Sequence, residues 1–485
     1  MTTTTKESVI EGTLVEQILG FTKISQYDES YPVVKQGVEV LLKEVLHRDQ
    51  ASVRVDKSFV DSLLEELDQR ISDQMDEILH NEQFKIAETP WASLDFLVNR
   101  TDFSQNIKVE ILNATKNDLI EDFEDAPEIT QTGIYNSIYT DEYGQFGGEP
   151  FGVIIGDYSF SHKGADIELM KNMSAIAAMT HAPFISAASN EFFGIDDYEE
   201  LPTLKELESI FDGAQYTKWR KLRQCDDSRY LGLTLPNFML RSTYGEDSLV
   251  RSFDYKETIN NKKDYLWGNA AYAYASRLVD SFAQFRWCPN VIGPQSGGAV
   301  EDLAIHLVDV DGTDEIRGPV EVVISDRKEY ELAELGFIPL SLRKGSDHAV
   351  FFSSSSIQEP LKFGNDDDGK IAEMNYRLGT QLPYLFIVCR LAHYIKVLQR
   401  ENLGSWKTRA DLETELNKWL RRYVADQENP SPATRSSRPL RKAQLTVSEV
   451  RGDAGWYTVS MSVTPHFKFM GANFTLSLTG MLDRT

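Results

Sequence analysis

Two glycine-rich stretches are the first places where chemistry could sit. They are Phe146-Gly147-Gly148-Glu149-Pro150-Phe151-Gly152 and Gly293-Pro294-Gln295-Ser296-Gly297-Gly298. A phosphate loop follows a strand, opens a helix and supplies a Lys. The first stretch precedes an apolar run and the second lacks the Lys, so both read as turns or close-packing points. Asp309-Val310-Asp311-Gly312 and Asn365-Asp366-Asp367-Asp368-Gly369 are acidic enough to interest a divalent cation. Neither has EF-hand spacing or its closing Glu, and they read as solvated loops. His47, His80, His162, His181, His306, His348, His393 and His466 stand singly, and Cys225, Cys288 and Cys389 have no ligand spacing. Ser353 to Ser356 is a serine run with no base at motif spacing, and no G-x-S-x-G occurs. Cys288 lies between Trp287 and Pro289, an apolar setting that favours an inert thiol. With 75 Asp and Glu in the chain, some pair will always look like an acid and a base, so that signal carries no information. No cofactor, metal or catalytic residue is assigned. The weight moves toward a structural or interaction role.

The elements around these stretches change character along the chain. Leu14, Val15, Ile18, Leu19 and Phe21 mark a short amphipathic helix, and Val33 to Leu46 a second. Asp56 can cap a third, longer helix, on which Phe59, Leu63, Leu67, Ile71, Met75 and Leu79 recur at every fourth residue. That stripe packs within the chain or docks on another chain; spacing does not separate the two. From about residue 107 strands and helices alternate. Val153–Ile155 and Phe184–Ala187 read as buried strands around a helix at Ala165–Met179, which implies a parallel crossover in an α/β core. Val320–Ile324 reads as another buried strand, followed by a charged helix at Asp326–Leu335. One helix covers about Tyr376 to Arg400. Another starts at Thr408, which forms a capping box with Asp411. Pro430, Pro432 and Pro439 mark an extended linker. Beyond it, three runs alternate with polar residues: Leu445 and Val447; Tyr457, Val459, Met461 and Val463; Phe474, Leu476 and Leu478. They form a three-strand antiparallel unit with at least one edge. That edge either takes a strand from another chain or is covered by helix 408–424.

The chain has 485 residues, a net charge of −25 and 41% hydrophobic residues, the composition of a soluble globular protein of two to four domains. The acidic balance argues against nucleic-acid binding, which needs a concentrated basic surface. Residues 1–130 hold 27 acidic and 12 basic residues, whereas residues 390–451 hold 13 Lys and Arg against 7 acids. Either these are solvated faces, or the polarity orders copies of the chain. An odd cysteine count suits a reducing cytosol. Residues 1–12 lack the features of a signal peptide, and the apolar stretch Leu382 to Leu398 is interrupted by Arg390, His393 and Lys396. No direct membrane insertion is expected.

The order and spacing of several blocks resemble a known family, from Thr13 to Leu478. They are SLLEELDQRISDQMDEILHNEQF at 62–84, YGQFGGEPFGVIIGDYSF at 143–160, HAPFISAASNEFFG at 181–194, DSRYLGLTLPNFMLRSTYG at 227–245, YLWGNAAYAYASRLVDSFAQFRWC at 265–288, SDRKEYELAELGFIPL at 325–340 and QLPYLFIVCRLAHYIKV at 381–397. Together they resemble the large subunit of the type VI secretion contractile sheath, the TssC or VipB family. The resemblance implies a non-catalytic structural protein of the bacterial cytoplasm. It would pair with a small sheath subunit of the TssB/VipA type and polymerise helically around an inner tube of the Hcp type. Contraction would drive that tube into a target cell. A baseplate and an AAA+ unfoldase of the ClpV type are the further partners implied.

The resemblance also implies an α/β contractile-sheath fold, with N-terminal helices and a C-terminal strand unit that pairs with neighbouring subunits. Residues 1–105 would form the helical region for small-subunit and unfoldase contacts, 106–400 the body, and 401–485 the C-terminal helix, linker and exchange sheet. Small-subunit contacts would fall on Phe59, Leu63, Leu67, Ile71 and Met75, and unfoldase recognition on Leu14, Val15, Ile18 and Leu19. Inter-subunit pairing would use Leu445, Val447, Val459, Met461, Phe474, Leu476 and Leu478. Tube contacts would use Asp326, Arg327, Lys328 and Glu329, with Lys218 and Lys221 as a second set. The alternatives are the sheath of another contractile injection system or phage tail, whose sheaths usually use one chain type, and an α/β enzyme of unknown chemistry.

Overall fold

The structure, a computed structural model, describes residues 27, 31–47, 57–245, 255–310, 313–364, 366–404, 407–427, 430–450, 457–466 and 476–480. It divides into two units, Met1–Gln74 with Leu249–Tyr255, and Met75–Ser248 with Lys256–Thr485. The described part of the first unit is mainly helix α1 (Tyr31–His47) and the start of α2 (Lys57–Leu79). The expected cap Asp56 lies outside the described residues.

The second unit is mixed α/β. It begins with the end of α2, with α3 (Glu82–Asn99) and with α4 (Lys116–Asp125). The Asn81 side chain caps α3 by accepting the Gln83 and Phe84 amides. The Thr115–Asp118 capping box opens α4. A parallel run follows: β1 (Ile154–Phe160), α5 (Gly164–Thr180) and β2 (Phe184–Ala188), then α6 (Thr217–Arg223) and β3 (Leu231–Leu235). The expected crossover at 153–187 is therefore present, with β1 parallel to β2 and Ile154 opposite Phe184. All five residues of β2 and of β3 are buried, as in a sheet covered on both faces. Gly232 in β3 is closely packed, and a side chain there would require its neighbours' tips to shift. A Cβ there would lie 2.8, 2.9 and 3.0 Å from Ile185, Leu382 and Ile338 side chains.

Two-residue strands β4 (Phe238–Met239) and β5 (Trp267–Gly268) pair ahead of α7 (Ala270–Phe285), which packs on β1, β2 and β3. Next come β6 (Ala299–Val300), the hairpin β7 (His306–Val310) and β8 (Thr313–Arg317), α8 (Asp326–Glu334), β9 (Phe337–Leu342) and β10 (Ala349–Phe351). The main sheet has the order β1-β2-β3-β9-β10-β6, parallel through β9 and antiparallel beyond it. Pro339 sits inside β9, where a proline normally argues against a central strand. It is tolerated because β9 changes partner there. Phe337 to Pro339 pair with β3, and Leu340 to Leu342 pair with β10.

The expected strand at Val320–Ile324 does not form. Val320, Val322 and Ile324 are buried, but this segment makes only one bridge, Val320 to Phe238, and Pro319 before it has no N–H to pair. The place beside β3 belongs to β9. The expected single helix at Tyr376–Arg400 is two, α9 (Asp367–Gly379) and α10 (Leu382–Asn402). Pro383 sits at the start of α10, and Gln381 bridges to Ser355 across the break. The α11 helix (Arg409–Leu420) opens with the expected Thr408–Asp411 capping box. The expected extended linker contains a short helix, Pro432–Ser437, capped by Ser431, with Pro432 at the first turn where a missing N–H costs nothing. The expected three-strand unit follows: β11 (Leu440–Glu449), β12 (Tyr457–Pro465) and β13 (Leu476–Gly480), antiparallel in that order.

Two hydrophobic cores result. The main one lies around the six-stranded sheet and includes the rings of Phe192, Phe193, Phe211, Trp219 and Phe337. The second joins Trp287, Leu416 and Leu420 to Leu445, Val447, Met461 and Val463. Helix α10 serves both, giving Leu382, Leu385, Phe386 and Cys389 to the first and Ile387, Val388 and Leu391 to the second. That double burial explains its nearly continuous apolar run. No helix among the described residues is long and apolar enough to cross a membrane.

Candidate assembly surfaces

The residues that looked reactive are occupied by the fold. Ser354 shares a 2.6 Å hydrogen bond with the Tyr274 hydroxyl, Gln381 donates to Ser355 at 3.0 Å, and Ser353 donates to Glu329 at 2.5 Å. The backbone joins in, as Leu382 N–H donates to Ser354 O and Ser356 N–H to Thr380 O. The serine run thus closes the break between α9 and α10. Burial pushes the Cys288 thiol up to about 12, where little nucleophilic thiolate exists at neutral pH. Burial holds His393 down at about 3; its Nε2 lies 2.9 Å from Thr180 O, which fixes the proton on that nitrogen. Among the described residues, no group of three or more His, Cys, Asp or Glu could hold a metal ion. A cavity of about 460 Å³ is lined by Arg390 and His393 together with Phe151, Phe282 and Phe386.

The C-terminal sheet offers its two edges differently. Strand β12 sits between β11 and β13, with Leu445 opposite Met461 and Val463 opposite Leu476. Leu445, Val447 and Met461 are buried, and Val459 is half-buried against the same core. Leu476 and Leu478 lie in β13, whereas Phe474 lies outside the described residues. Along its outer side β11 is lined by α11. Asn417 donates to Leu445 O at 2.8 Å and accepts from Leu445 N–H at 2.9 Å. Glu413 accepts from Val447 N–H at 3.4 Å, and Arg409 donates to Val447 O at 3.0 Å. Helix 408–424 therefore does cover an edge, but it is the edge of β11. Beyond β13, no strand is paired among the described residues.

Helix α8 is capped by Ser325, which accepts from Lys328 N–H. Its charged residues divide. Asp326 and Arg327 are exposed, Arg327 at 88% and paired to Glu331 on the next turn. Lys328 is buried, with Nζ 2.6 Å from Leu204 O and 2.9 Å from Glu331. Glu329 is half-buried on Ser353; burial pushes its carboxyl above the usual range. Tyr330 and Val323 are exposed beside them. On α6, Lys218 and Lys221 are exposed, while Trp219 and Leu222, the residue after each, are buried.

In the first unit, Val33 and Val40 on α1 and Leu64, Leu67 and Ile71 on α2 are exposed apolar side chains. Side chains of Phe59 and Leu63 lie outside the described residues, as do Leu14, Val15, Ile18 and Leu19 altogether. Met75 is half-buried and Leu79 buried. Helical geometry explains the graded burial. Four residues advance ~400°, so a strict four-residue stripe winds ~40° per step and cannot stay on one face.

Spacing gave no hint of one further site. Glu257 is fully buried and receives Arg241 through two hydrogen bonds, His80 Nε2 at 3.1 Å and the Tyr244 amide at 3.1 Å. Arg241 also reaches Glu88 at 3.1 Å, and Asp76 accepts from Thr258 N–H. Burial alone would push the Glu257 carboxyl up; Arg241 outweighs it, and the net position is below the usual range. This node pins the α2–α3 junction to Arg241–Tyr244 and to Glu257–Thr258. Its members are far apart in sequence and belong to no motif.

Known proteins resemble this chain along most of its length. Residues 61–358 match the VipB family model, described as the EvpB/VC_A0108 tail sheath N-terminal domain. Residues 371–482 match VipB_2, the EvpB/VC_A0108 tail sheath gpW/gp25-like domain. The chain is 36% identical over 456 residues to the type VI secretion system sheath protein TssC1 of Pseudomonas aeruginosa, covering 93% of this chain and 91% of that one. Among solved structures, the anti-feeding prophage baseplate aligns with a TM-score of 0.36 at 8% identity over 79% of this chain and 81% of that one. A sheath tail protein of Desulfitobacterium hafniense aligns with a TM-score of 0.28 at 13% identity, over 65% and 60%. The assignment rests on the sequence matches, which run through both cores and the C-terminal sheet. The chain belongs to the VipB tail sheath family, the structural large subunits of the type VI secretion contractile sheath.

Proposed function

We propose that the chain pairs with a small sheath subunit of the TssB/VipA type and, with it, polymerises in the bacterial cytoplasm around an Hcp-type tube. The observation that carries this reading is β13, a five-residue strand held on β12 with its other side unpaired among the described residues. A strand so placed can be exchanged between copies, linking them by backbone hydrogen bonds that survive rigid-body rotation of the bodies during contraction. Residues 401–485 are then the linking region, 106–400 the body, and 1–105 the partner-binding region. The apolar residues left exposed on α2, Leu67 and Ile71, support docking of the small subunit there. Phe59, Leu63 and Met75 continue that stripe.

Asp326 and Arg327, with Lys218 and Lys221, supply exposed charge suited to a tube that must be gripped and then released. Lys328 and Glu329 act from beneath, holding α8 in place. Leu14, Val15, Ile18 and Leu19 are the segment read by a ClpV-type unfoldase, and a baseplate starts the assembly. The chain itself catalyses no reaction.

The deciding experiment removes residues 467–485 and co-expresses the remainder with the small subunit. The expected result is a soluble pair that forms no tubes in electron micrographs. Normal tubes would overturn the exchange reading. Replacing Leu14, Ile18 and Leu19 by Asp tests the unfoldase segment, and unchanged unfoldase binding to contracted sheath would remove it.

A further inference from the structure

The polar breaks in the apolar run of α10 follow a pattern. Phe386, Arg390, His393 and Val397 stand at i, i+4, i+7 and i+11, one stripe of the helix, and all four line the cavity of about 460 Å³. Leu278 and Phe282, one turn apart on α7, line it too. Two segments outside helix and strand, around 106–110 and 148–153, complete the wall. The volume falls within the range of about 300–1,000 Å³ typical of small-molecule sites.

Three cations and two carboxylates line the cavity, in a chain whose net charge is −25. Most of these charges are spent. Glu149 pairs with Lys108, and Glu110 lies in the field of the same Lys. Arg286 donates to the Gln105 backbone oxygen and, at 2.9 Å, to its side-chain oxygen. His393 is neutral and held by Thr180 O. Arg390 is the exception. Its guanidinium carbon lies 5.1 Å from the centre of the Phe282 ring and 4.9 Å from that of Tyr394, and its Nε donates to Tyr394 Oη at 3.2 Å. Its Nη1 and Nη2 have no protein acceptor among the described residues. That end of the fork matches the two oxygens of a carboxylate. The rings around it keep water from part of the guanidinium, which strengthens such a pair.

We propose that this cavity binds a carboxylate carried on an apolar stem, with the head on Nη1 and Nη2 of Arg390 and the stem against Phe151, Leu278 and Phe386. A phosphate dianion fits less well, because Lys108 and Arg286 are engaged elsewhere and the remaining wall is largely aromatic and aliphatic. The Lys108–Glu149 pair joins the two outer segments at the surface, with side chains 61% and 65% exposed. Parting it to admit a ligand therefore strands no buried charge. Two sources supply this chemistry: a free small acid, or the carboxylate of a neighbouring chain flanked by apolar residues.

The test measures binding of hexanoate and phenylacetate, and of their neutral amides, to the full chain co-expressed with the small subunit. Calorimetry or ligand-observed NMR gives the affinities. At least one acid is expected to bind at least about tenfold more tightly than its amide, the scale of one charge-assisted pair. Arg390→Gln should remove that preference and leave amide binding unchanged, and Arg390→Lys should restore part of it. The comparison of acid with amide is made on wild type, so it stands even if a variant folds poorly. Equal binding of acid and amide, or no acid bound more tightly than about 1 mM, would overturn the proposal. An acid preference that survives in Arg390→Gln would overturn it too. Acid binding retained in assembled tubes marks a free small acid as the source, and acid binding lost on assembly marks a neighbouring chain. If no tubes form, the sheath reading falls, and the wild-type comparison still decides the site.

Discussion

Arg241 and Glu257 meet through two hydrogen bonds, Nη1 to Oε2 at 2.7 Å and Nη2 to Oε1 at 3.3 Å, with the Glu257 side chain only 1% exposed. A carboxylate this deep survives as an ion only while its partner is present. Arg241→Ala is expected to cost about 3–5 kcal/mol, the usual result of stranding a buried charge. Glu257→Gln should cost less, because no full charge is left buried without water on the acid side. Replacing both by Leu should recover most of the loss. Urea midpoints of the three variants would check the order, and a double variant no better than Arg241→Ala would contradict it.

Acid should loosen the same junction. The folded carboxyl of Glu257 lies below its unfolded value, so its contribution is present above the unfolded range and is lost as pH falls through the folded value. Proteolysis at the α2–α3 junction is expected to speed up only below about pH 4.5, as the carboxyl is protonated. Glu257→Gln, which has no such titration, should show a flatter pH profile of cleavage.

Glu321 titrates in the opposite sense. Burial pushes its carboxyl up to about 7, against a hydrogen bond from Asn237 at 2.8 Å that pulls the other way. A raised acid favours the fold below the unfolded value near 4.5 and loses that advantage as pH climbs through 7. Glu321→Gln should therefore be stabilising at pH 8, on the order of 2 kcal/mol, and neutral near pH 4.5. Equal denaturant midpoints for variant and wild type at pH 8 would refute this.

Leu67 and Ile71 are 50% and 40% exposed, so Asp at both positions should change the stability of the free chain by less than about 0.5 kcal/mol. If they are the docking stripe, the small subunit should bind at least about tenfold more weakly, since burying either side chain is worth about 1.5–3 kcal/mol. Co-purification at wild-type yield would dismiss this stripe as the contact.

Adjacent residues on α8 should behave in contrast. Lys328→Ala leaves Leu204 O without its donor and should cost about 1–3 kcal/mol. Arg327→Glu alters only an exposed i,i+4 pair and should be within about 0.5 kcal/mol of wild type. Thermal melts separate the two. Tube capture by tubes of the inner protein should fall for Arg327→Glu, and unchanged capture would count against the tube-facing role.

The amino-acid sequence by itself determined the helices at 31–47 and 57–79, the crossover at 154–188, the capping box at Thr408 and the alternating C-terminal strands. Each of these is written in local periodicity, where neighbouring residues carry the whole signal. The ordered blocks also sufficed to place the chain in its family. Tertiary structure alone decided where those rules collide with distant partners. Pro339 could enter a central strand only because β9 trades β3 for β10 at that residue. Val320 to Ile324 had the composition of a strand but lost the place to β9. The run at 382–398 was apolar on too many sides because α10 serves two cores. The ion node at Glu257 and the amide of Asn417 on Leu445 join residues from separate elements. Hydrogen bonds and buried charges depend on angle and distance in space, and nothing in their sequence spacing records that they will meet.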